Sequence, residues 1–289
     1  MCNTNEKIMT VLSNSGFDRY DIGVISLSNA VRRNVKNRIE GINGIGDTEG
    51  SVIVFIFPYY HNVPLEVTPN ISMYAQCKDY HLYIREVLLR AVSALEEHFP
   101  ENKFLPFVDS SPIDEVKTAE RAGLGSVGKN GLFYSRTERV GSYCFIGEIV
   151  CDIAINNENN TTCITNDRCK NCELCVRSCP GRAISDGGIN KNRCLSAISQ
   201  KKGAFSEEEC ALLKKGGYVW GCDVCQSVCL RNANVAETFI EKFKSDLVYV
   251  LDEDDLGWDE DEFNDKHSEY AYAWRGRDVL LKNILILRQ

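Results

Sequence analysis

The chain has 289 residues, enough for about two domains, and its 44% hydrophobic and 26% charged residues are typical of a globular protein. The net charge of −8 argues against indiscriminate binding of nucleic acid, which depends on neutralising phosphates, but leaves room for a local basic face. No apolar signal core opens the sequence, and no apolar run is long enough to span a membrane. We therefore expect a cytoplasmic protein without membrane contact, whose fourteen cysteines stay reduced.

The first part of the chain predicts helices and strands in alternation. A short helix is expected over 5–15 and a strand over 22–27. Residues 51–57 form a continuous apolar run rich in β-branched and aromatic side chains, which predicts a central strand buried on both faces. Apolar residues then recur at helical spacing from 80 to 95, so a long amphipathic helix follows and ends before Pro100.

Polar side chains follow two of the predicted strands. Residues 59–61 come directly after the strand at 51–57, at the end where open α/β sheets place their ligands. Asp109 follows a short strand predicted over 104–108, and a carboxylate there is well placed for chemistry. Asp109 also fits as a plain N-cap for a helix over 113–122, and the local pattern alone favours the cap.

A glycine-rich turn occupies residues 123–131. It contains the spacing G-x-G-x-x-G, but it follows a predicted helix where a dinucleotide site would follow a strand, and it lacks the spacing of a phosphate-binding P-loop. What remains is a turn whose backbone can approach a large ligand closely, with Lys129 to supply charge. Strands are predicted over 132–134 and 143–151, and the polar loop at 156–162 marks a boundary.

The cysteines beyond that boundary carry the strongest signal. Residues 169–180 follow the pattern C-x2-C-x2-C-x3-C-P, in which the fourth cysteine binds the other of two iron–sulfur clusters. Two 4Fe-4S clusters need eight thiolates, and the segment 169–229 offers eight. One cluster is assigned to Cys169, Cys172, Cys175 and Cys229, and the second to Cys179, Cys194, Cys222 and Cys225.

A zinc module is the competing interpretation, because C-x2-C also occurs in zinc ribbons. Zinc sites usually pair two such knuckles across a longer loop, so a three-step run that ends in Cys-Pro favours a cubane. A disulfide framework is disfavoured because nothing else in the chain is typical of a secreted protein. Helices are predicted over 206–215, with Ser206 as N-cap, and over 235–244.

Taken together, these motifs resemble the epoxyqueuosine reductase family over most of residues 50–235. The resemblance rests on the cysteine pattern with Gly221-Cys-Asp223, and on a set of short motifs elsewhere. These are Tyr74-Ala75, Asp79-Tyr-His81, Asp109-Ser-Ser-Pro112 with Glu115, Ala122-Gly-Leu-Gly-Ser-Val-Gly-Lys-Asn130, Gly141-Ser142 and Gly147-Glu148.

The resemblance implies a fold and a reaction. The fold class is an α/β (α+β) cobalamin-binding domain at 1–160, a bacterial ferredoxin-like two-cluster domain at 161–234 and a short helical C-terminal tail at 235–289. The clusters would pass single electrons to cobalamin, and reduced cobalt would drive removal of the epoxide oxygen of epoxyqueuosine in tRNA. The cofactors do the electron chemistry, while the protein provides binding, orientation and protons.

The resemblance also implies roles for individual residues. Asp109 matches the family's proposed proton donor, which changes its role from N-cap to general acid. The cofactor-binding residues would be Tyr74, His81, Gly125, Gly128, Lys129, Asn130 and Ser142. The expected partners are tRNA and an external low-potential electron donor such as flavodoxin or ferredoxin.

Two departures from the family pattern leave alternatives open. Glu115 is followed by Val116 where the family usually has arginine, and the chain stops at Gln289, so we expect a short form without most of the helical-repeat domain that grips tRNA. One alternative is a related corrinoid and iron–sulfur reductase that acts on a small molecule. The other is a non-catalytic two-cluster electron-transfer protein.

Overall fold

A four-stranded antiparallel sheet organises the first half of the chain. The computed structural model of the protein describes residues 4–31, 49–155, 167–186 and 188–289. The strands are β1 (Asp21–Ser26), β2 (Ser51–Pro58), β3 (Phe104–Phe107), β4 (Gly125–Val127), β5 (Phe133–Ser135), β6 (Cys144–Cys151), β7 (Ile184–Ser185) and β8 (Gly188–Ile189). The sheet has the order β1-β2-β6-β3, while β4-β5 and β7-β8 form separate pairs.

Strand β2 is buried at every position, which confirms the predicted central strand. Its side chains alternate between the two faces of the sheet, as they do in any strand. Ile53, Phe55 and Phe57 share a core with helices α1 (Thr4–Leu12) and α2 (Tyr80–His98). Val52, Val54 and Ile56 share the opposite core with helix α3 (Glu115–Arg121).

The antiparallel pairing changes one expectation about the site. The rule that ligands gather beyond the C-terminal ends of strands belongs to open parallel sheets, so it does not locate a site after β2. His61 illustrates the difference, because it is buried and satisfied: its Nε2 lies 2.8 Å from Gln76 Oε1 and its Nδ1 lies 3.2 Å from the Tyr59 carbonyl.

The long helix α2 confirms the amphipathic pattern. One face buries six apolar side chains against the sheet, which is the contact that holds a helix of this kind. Asp79 caps its N-terminus and accepts a hydrogen bond from the His81 N–H at 3.0 Å. This cap fixes the backbone from which Tyr80 and His81 project.

The predicted N-cap role of Asp109 is wrong. Helix α3 begins six residues later, and its N-cap is Asp114, whose carboxylate accepts from the Lys117 N–H at 3.1 Å. Asp109 instead lies in a tight turn after β3 with φ of 55°. The helix starts later than the predicted residue 113, so the cap falls to Asp114.

Short helices and one hairpin form the cysteine module. The helices are α4 (Asp167–Lys170), α5 (Leu174–Ser178), α6 (Leu195–Ser199), α7 (Glu207–Gly216) and α8 (Val224–Ser227), and the hairpin is β7-β8. Helix α7 confirms the helix predicted at 206–215: Ser206 and Glu209 form a capping box, and Gly217 ends it with φ of 73°. The proposed boundary between 160 and 161 lies outside the described residues.

The C-terminal segment packs onto this module through its own core. Helices α9 (Glu260–His267) and α10 (Arg277–Arg288) share that core with Trp220 and Ile71. The buried amide of Asn283 donates to the carbonyls of Ser199 at 2.7 Å and Val219 at 2.9 Å. The tail and the cysteine module are therefore joined by a shared interior.

The helix predicted over 235–244 is wrong, since only a 3-10 turn at Glu241–Phe243 forms there. Backbone hydrogen bonds from the Ala236 N–H to Arg139 and from the Thr238 N–H to Tyr60 hold the segment against the first domain. Phe243 is thereby buried in the core beside α2. Across the described ranges, no helix is both long and apolar enough to cross a membrane.

Removing the Asn283 amide tests the junction between the tail and the module. Asn283→Ala leaves two buried carbonyls without their donor, so we expect the free energy of unfolding to fall by about 2–4 kcal/mol. An anaerobic thermal melt measures the loss. Asn264→Ala, on the exposed surface of α9, is the matched control and should melt like the wild type. Equal melting of both variants would contradict the prediction.

Candidate active site

A cleft of about 390 Å³ lies between the sheet domain and the cysteine module. Both parts of the chain line it, and it gathers residues that are far apart in sequence. The lining residues are Tyr59, Ser72, Tyr74, Asp109, Glu115, Val116, Asn130, Gly131, Leu132, Phe133, Ser142, Cys144, Phe145, Ile146, Ile189, Cys194, Ser196, Cys222, Asp223, Cys225 and Gln226.

Asp109 reaches this cleft from a strained turn. Its positive φ is uncommon for a residue with a side chain, and such outliers cluster at functional sites. The Tyr80 hydroxyl donates to Asp109 Oδ2 at 2.5 Å, and His81 Nε2 lies 3.0 Å from the same oxygen. These two contacts fix the position of the Asp109 carboxyl group at the cleft.

His81 lies between two carboxylates. Its Nδ1 is 2.7 Å from Asp79 Oδ1, and its other ring nitrogen faces Asp109. The hydrogen bonds to Asp109 and then to Asp79 raise the pKa of His81 to about 10. Burial, followed by the charge of Asp109, raises the pKa of Tyr80 well above its ordinary value. At neutral pH the site therefore holds an imidazolium and a protonated phenol beside Asp109.

The cysteines of the module influence one another's pKa. Burial raises the pKa of Cys175, and the next contributions come from the charges of Cys229, Cys169 and Cys172. Burial also raises the pKa of Cys222 and of Cys225 to about 12, and Cys194 and Cys179 add to both shifts. These neighbours agree with the two predicted sets, and the assignment of each cysteine to a cluster stays a prediction.

The donor set suits cubanes better than single ions. Within the described residues, no three His, Cys, Asp or Glu side chains converge closely enough to hold one metal ion. A cubane binds each of its four cysteines through a different iron, so its ligands stay further apart than those of zinc.

Only one of the two sets lines the cleft. Cys194, Cys222 and Cys225 contribute to its wall, whereas the described lining includes no member of the set around Cys175. The charge of Cys175 nevertheless contributes to the pKa of Cys225, so the two sets adjoin. An electron on the first set would reach the cleft by way of the second.

Asn130 connects the cleft wall to both cysteine sets. Its amide donates to the Tyr134 hydroxyl at 2.9 Å and to the Cys225 carbonyl at 3.1 Å, and its oxygen accepts from the Leu132 N–H at 3.3 Å. A hydrogen bond between Tyr134 and Cys229 contributes to the raised pKa of that phenol. The Asn130 side chain, which was predicted to bind the cofactor, therefore forms hydrogen bonds that hold the cleft wall together.

The other residues predicted to bind the cofactor lie in different parts of the site, some in the cleft lining and some in the β4-β5 hairpin. Tyr74 and Ser142 line the cleft, while His81 reaches it through Asp109. An added Cβ at Gly125 would lie 2.1 Å from the Tyr134 carbonyl oxygen, and one at Gly128 would lie 2.6 Å from the Tyr134 ring. Both glycines are therefore explained by the packing of β4 against β5.

Lys129 turns toward the cysteine module. Its Nζ lies 3.4 Å from the Lys170 carbonyl and 3.8 Å from Asp186. This contact spans from the glycine-rich turn to α4 and the β7-β8 hairpin. It gives the charge of Lys129 a structural role at the module's edge.

Two residues at the site have hydrogen-bond partners that the sequence did not predict, although one of them, Asp223, belongs to the Gly221-Cys-Asp223 motif. Asp223 accepts hydrogen bonds from the Ser72 hydroxyl and from the Met73 N–H at 2.7 Å, and burial raises its pKa to about 6. Gln226 donates to the Tyr59 hydroxyl and the Ser142 carbonyl, both at 3.0 Å. Their only signal was their position beside cluster cysteines, where polar residues are commonplace.

Family models match two separate parts of this architecture. A model described as "4Fe-4S double cluster binding domain" matches residues 168–232, and one described as "Epoxyqueuosine reductase QueG, DUF1730" matches 43–110. An epoxyqueuosine reductase of Aliivibrio fischeri is 35% identical over 225 residues, or 75% of this chain and 57% of the relative. The chain belongs to the epoxyqueuosine reductase family.

Other members extend the comparison. The relative from Lactococcus garvieae is 32% identical over 216 residues, 72% of this chain and 58% of its own length. The Leadbetterella byssophila relative is 32% identical over 68% of this chain and 63% of its own. The chain thus spans roughly three-fifths of these relatives.

Solved structures of the family share the fold. Epoxyqueuosine reductase from Streptococcus thermophilus aligns with a TM-score of 0.75 at 22% identity, over 97% of this chain and 80% of that one. A family structure with an epoxyqueuosine-modified tRNA-Tyr stem loop aligns at 0.76 with the same identity, over 98% and 80%. The mixed α/β architecture is confirmed, and the model matched over residues 168–232 supports the two predicted 4Fe-4S clusters.

Cysteine substitutions test the crossing of the two sets. Cys179→Ala and Cys222→Ala should each reduce the iron from about eight to about four atoms per chain and leave the same cluster behind. Cys175→Ala should instead leave the cluster assigned to Cys179, Cys194, Cys222 and Cys225. Iron analysis and the EPR signal and potential of the remaining cluster measure this. Cys210→Ala, outside both sets, should keep all the iron; a shared signal from Cys179→Ala and Cys175→Ala would contradict the crossing.

Proposed function

We propose that this chain reduces the epoxide of epoxyqueuosine in tRNA to give queuosine. The observation that carries the proposal is the shared cleft, where Asp109 and three cysteines of the second set line one cavity. The names of its relatives, epoxyqueuosine reductases, support the same reaction. The tRNA stem loop in a family structure supports tRNA as the carrier of the substrate.

The cysteines would hold the electron carriers. Cys169, Cys172, Cys175 and Cys229 would bind the cluster farther from the cleft, and Cys179, Cys194, Cys222 and Cys225 the nearer one. Electrons would enter from a low-potential carrier such as flavodoxin or ferredoxin. Carriers of this kind and tRNA meet in the cytoplasm, where we place the protein.

Cobalamin would lie in the cleft and supply the low-potential electron chemistry that opens the epoxide. Tyr74, Ser142 and Gly131 line that space, and an added Cβ at Gly131, whose φ is 73°, would lie 2.7 Å from Ile189 Cδ1. In the neighbouring walls, polar side chains form hydrogen bonds to other protein groups. These walls therefore present a rigid surface to the ligand. The chain's own residues then orient the substrate and manage its protons.

Asp109 would deliver a proton to the departing oxygen. Converting an epoxide to an alkene and water consumes two electrons and two protons, and the oxygen leaves readily only when protonated. Asp109 lies at the cleft beside two proton donors, so it is the group placed to make this transfer. General acids of this kind contribute about 10²–10⁴-fold to rate.

Turnover by the Asp109→Asn variant tests the assignment. Reconstituted protein with cobalamin and a low-potential reductant is incubated with an epoxyqueuosine-modified tRNA stem loop, and mass spectrometry follows the loss of one oxygen atom. We expect kcat to fall by about 10²–10⁴-fold, since an amide cannot donate the proton. Asp114→Asn, the cap of α3, is the matched control and should retain the wild-type kcat.

The substrate class is tested by the same assay. Reduction of the free nucleoside at the full rate, with no affinity for the stem loop at low salt, would replace tRNA by a small molecule. Cluster absorption without any binding of cobalamin would instead make the chain an electron-transfer protein.

A further inference from the structure

The proposed reaction consumes more protons than Asp109 alone can hold. The epoxide oxygen leaves as water, so it takes up two protons, whereas one carboxyl group holds one. Either a second donor supplies the other proton or Asp109 is reloaded between the two transfers. The surroundings of Asp109 distinguish these routes.

Tyr80 is poorly suited as the second donor. Its hydroxyl donates to Asp109 Oδ2 at 2.5 Å, but burial and the charge of Asp109 both raise its pKa far from neutrality. Ionising this phenol beside a carboxylate would place two negative charges together. Tyr80 therefore orients Asp109 and keeps its proton.

His81 has the geometry of a proton store. One ring nitrogen faces Asp109 Oδ2 at 3.0 Å, and the other faces Asp79 Oδ1 at 2.7 Å. Asp79 is fixed in turn by the start of α2, where it accepts the His81 N–H. The His81 side chain is 43% exposed, so water can return a proton to the ring.

We propose that His81 is the proton store of the site and reloads Asp109 after each transfer, an inference that rests on the proposed function. Asp109 gives its proton to the departing oxygen and becomes a carboxylate. The His81 imidazolium passes its Nε2 proton to Asp109 Oδ2. It keeps its Nδ1 proton, which stays hydrogen-bonded to Asp79. Bulk water then returns a proton to Nε2.

The direction of the transfer follows from the acceptor. Transfer of a proton from the His81 imidazolium to the Asp109 carboxylate is uphill by itself, because a carboxyl group is the stronger acid. An alkoxide or hydroxide leaving the epoxide carbon is far more basic than imidazole, so the overall transfer from His81 to that oxygen is downhill. The two electrons come from the low-potential donor through the clusters. Two passes of the relay with two electrons give one alkene and one water.

The groups that face His81 set its charge. Asp79 and Tyr80 come from its own segment and Asp109 from the turn after β3, while Tyr74, in the 3-10 turn at Met73–Ala75, lies near both aspartates. Burial raises the pKa of Tyr74 as well, so both phenols stay neutral where His81 titrates. The two aspartates remain as the groups that raise the His81 pKa to about 10.

An NMR titration tests whether His81 holds a proton between the two aspartates, and it requires no turnover. The chain has four histidines, so the His81 ring signal in the oxidised, cofactor-loaded protein is assigned by its loss in His81→Gln. We expect a His81 pKa near 10 and a fall of at least about one unit in Asp79→Asn, because one of the two carboxylates that hold the imidazolium is gone. A wild-type value near 6.5 overturns the proposal.

Kinetics test the reloading step. His81→Gln should lower kcat by about 10²-fold with KM unchanged, and added imidazole should restore part of it. In Asp79→Asn the alkaline limb of the kcat profile should move to lower pH, since the imidazolium is lost earlier. His98→Gln, at the other end of α2, is the matched control and should behave as wild type.

Two results separate this inference from the proposed function. Wild-type turnover by His81→Gln overturns the relay. If no variant and no wild-type protein reduces epoxyqueuosine while His81 still titrates near 10 and responds to Asp79→Asn, the proton store stands and the proposed substrate falls.

Discussion

The site depends on a seam where residues 70–73 meet residues 219–226. A parallel bridge joins Ile71 to Trp220, and the Ser72 N–H donates to the Trp220 carbonyl at 2.8 Å. Gly221 permits this approach, since an added Cβ would lie 2.3 Å from Ser72 Cβ. The buried carboxylate of Asp223 closes the seam by accepting from Ser72 and Met73. Without this contact the second cysteine set would have no fixed place beside the sheet.

The seam also explains why one cysteine set faces the cleft. Asp223 and Gln226 flank Cys225, and both form hydrogen bonds across to the sheet domain. Buried polar groups need partners, so these bonds leave the cysteine loop little freedom to turn. The set farther from the cleft is built around α5 and the end of the loop at Cys229. The order of the two sets relative to the cleft is thus a result of packing between the two parts of the chain.

Protons and electrons approach the cleft from different elements. The proton side is built on β3 and the first turn of α2, where the helix cap at Asp79 and the strained turn at Asp109 bring His81 between two carboxylates. The electron side is built on the cysteine module. The proton-carrying groups and the cysteines therefore come from different parts of the chain, although Asp109 and three of the cysteines line the same cleft.

The sequence by itself determined what depends on neighbours along the chain. Patterns among residues close together in the chain could be recognised directly. They are the apolar run of β2, the amphipathic face of α2, the capping box of α7 and the spacing of eight cysteines. Tertiary structure decided the rest. Helix α3 is capped by Asp114, so Asp109 lies in the turn before it and lines the cleft, and long-range bonds to Arg139 and Tyr60 hold residues 235–244 out of a helix. Likewise Asn130, Asp223 and Gln226 acquired their roles from partners 95, 150 and 167 residues away, and such pairings leave no periodic trace in the chain.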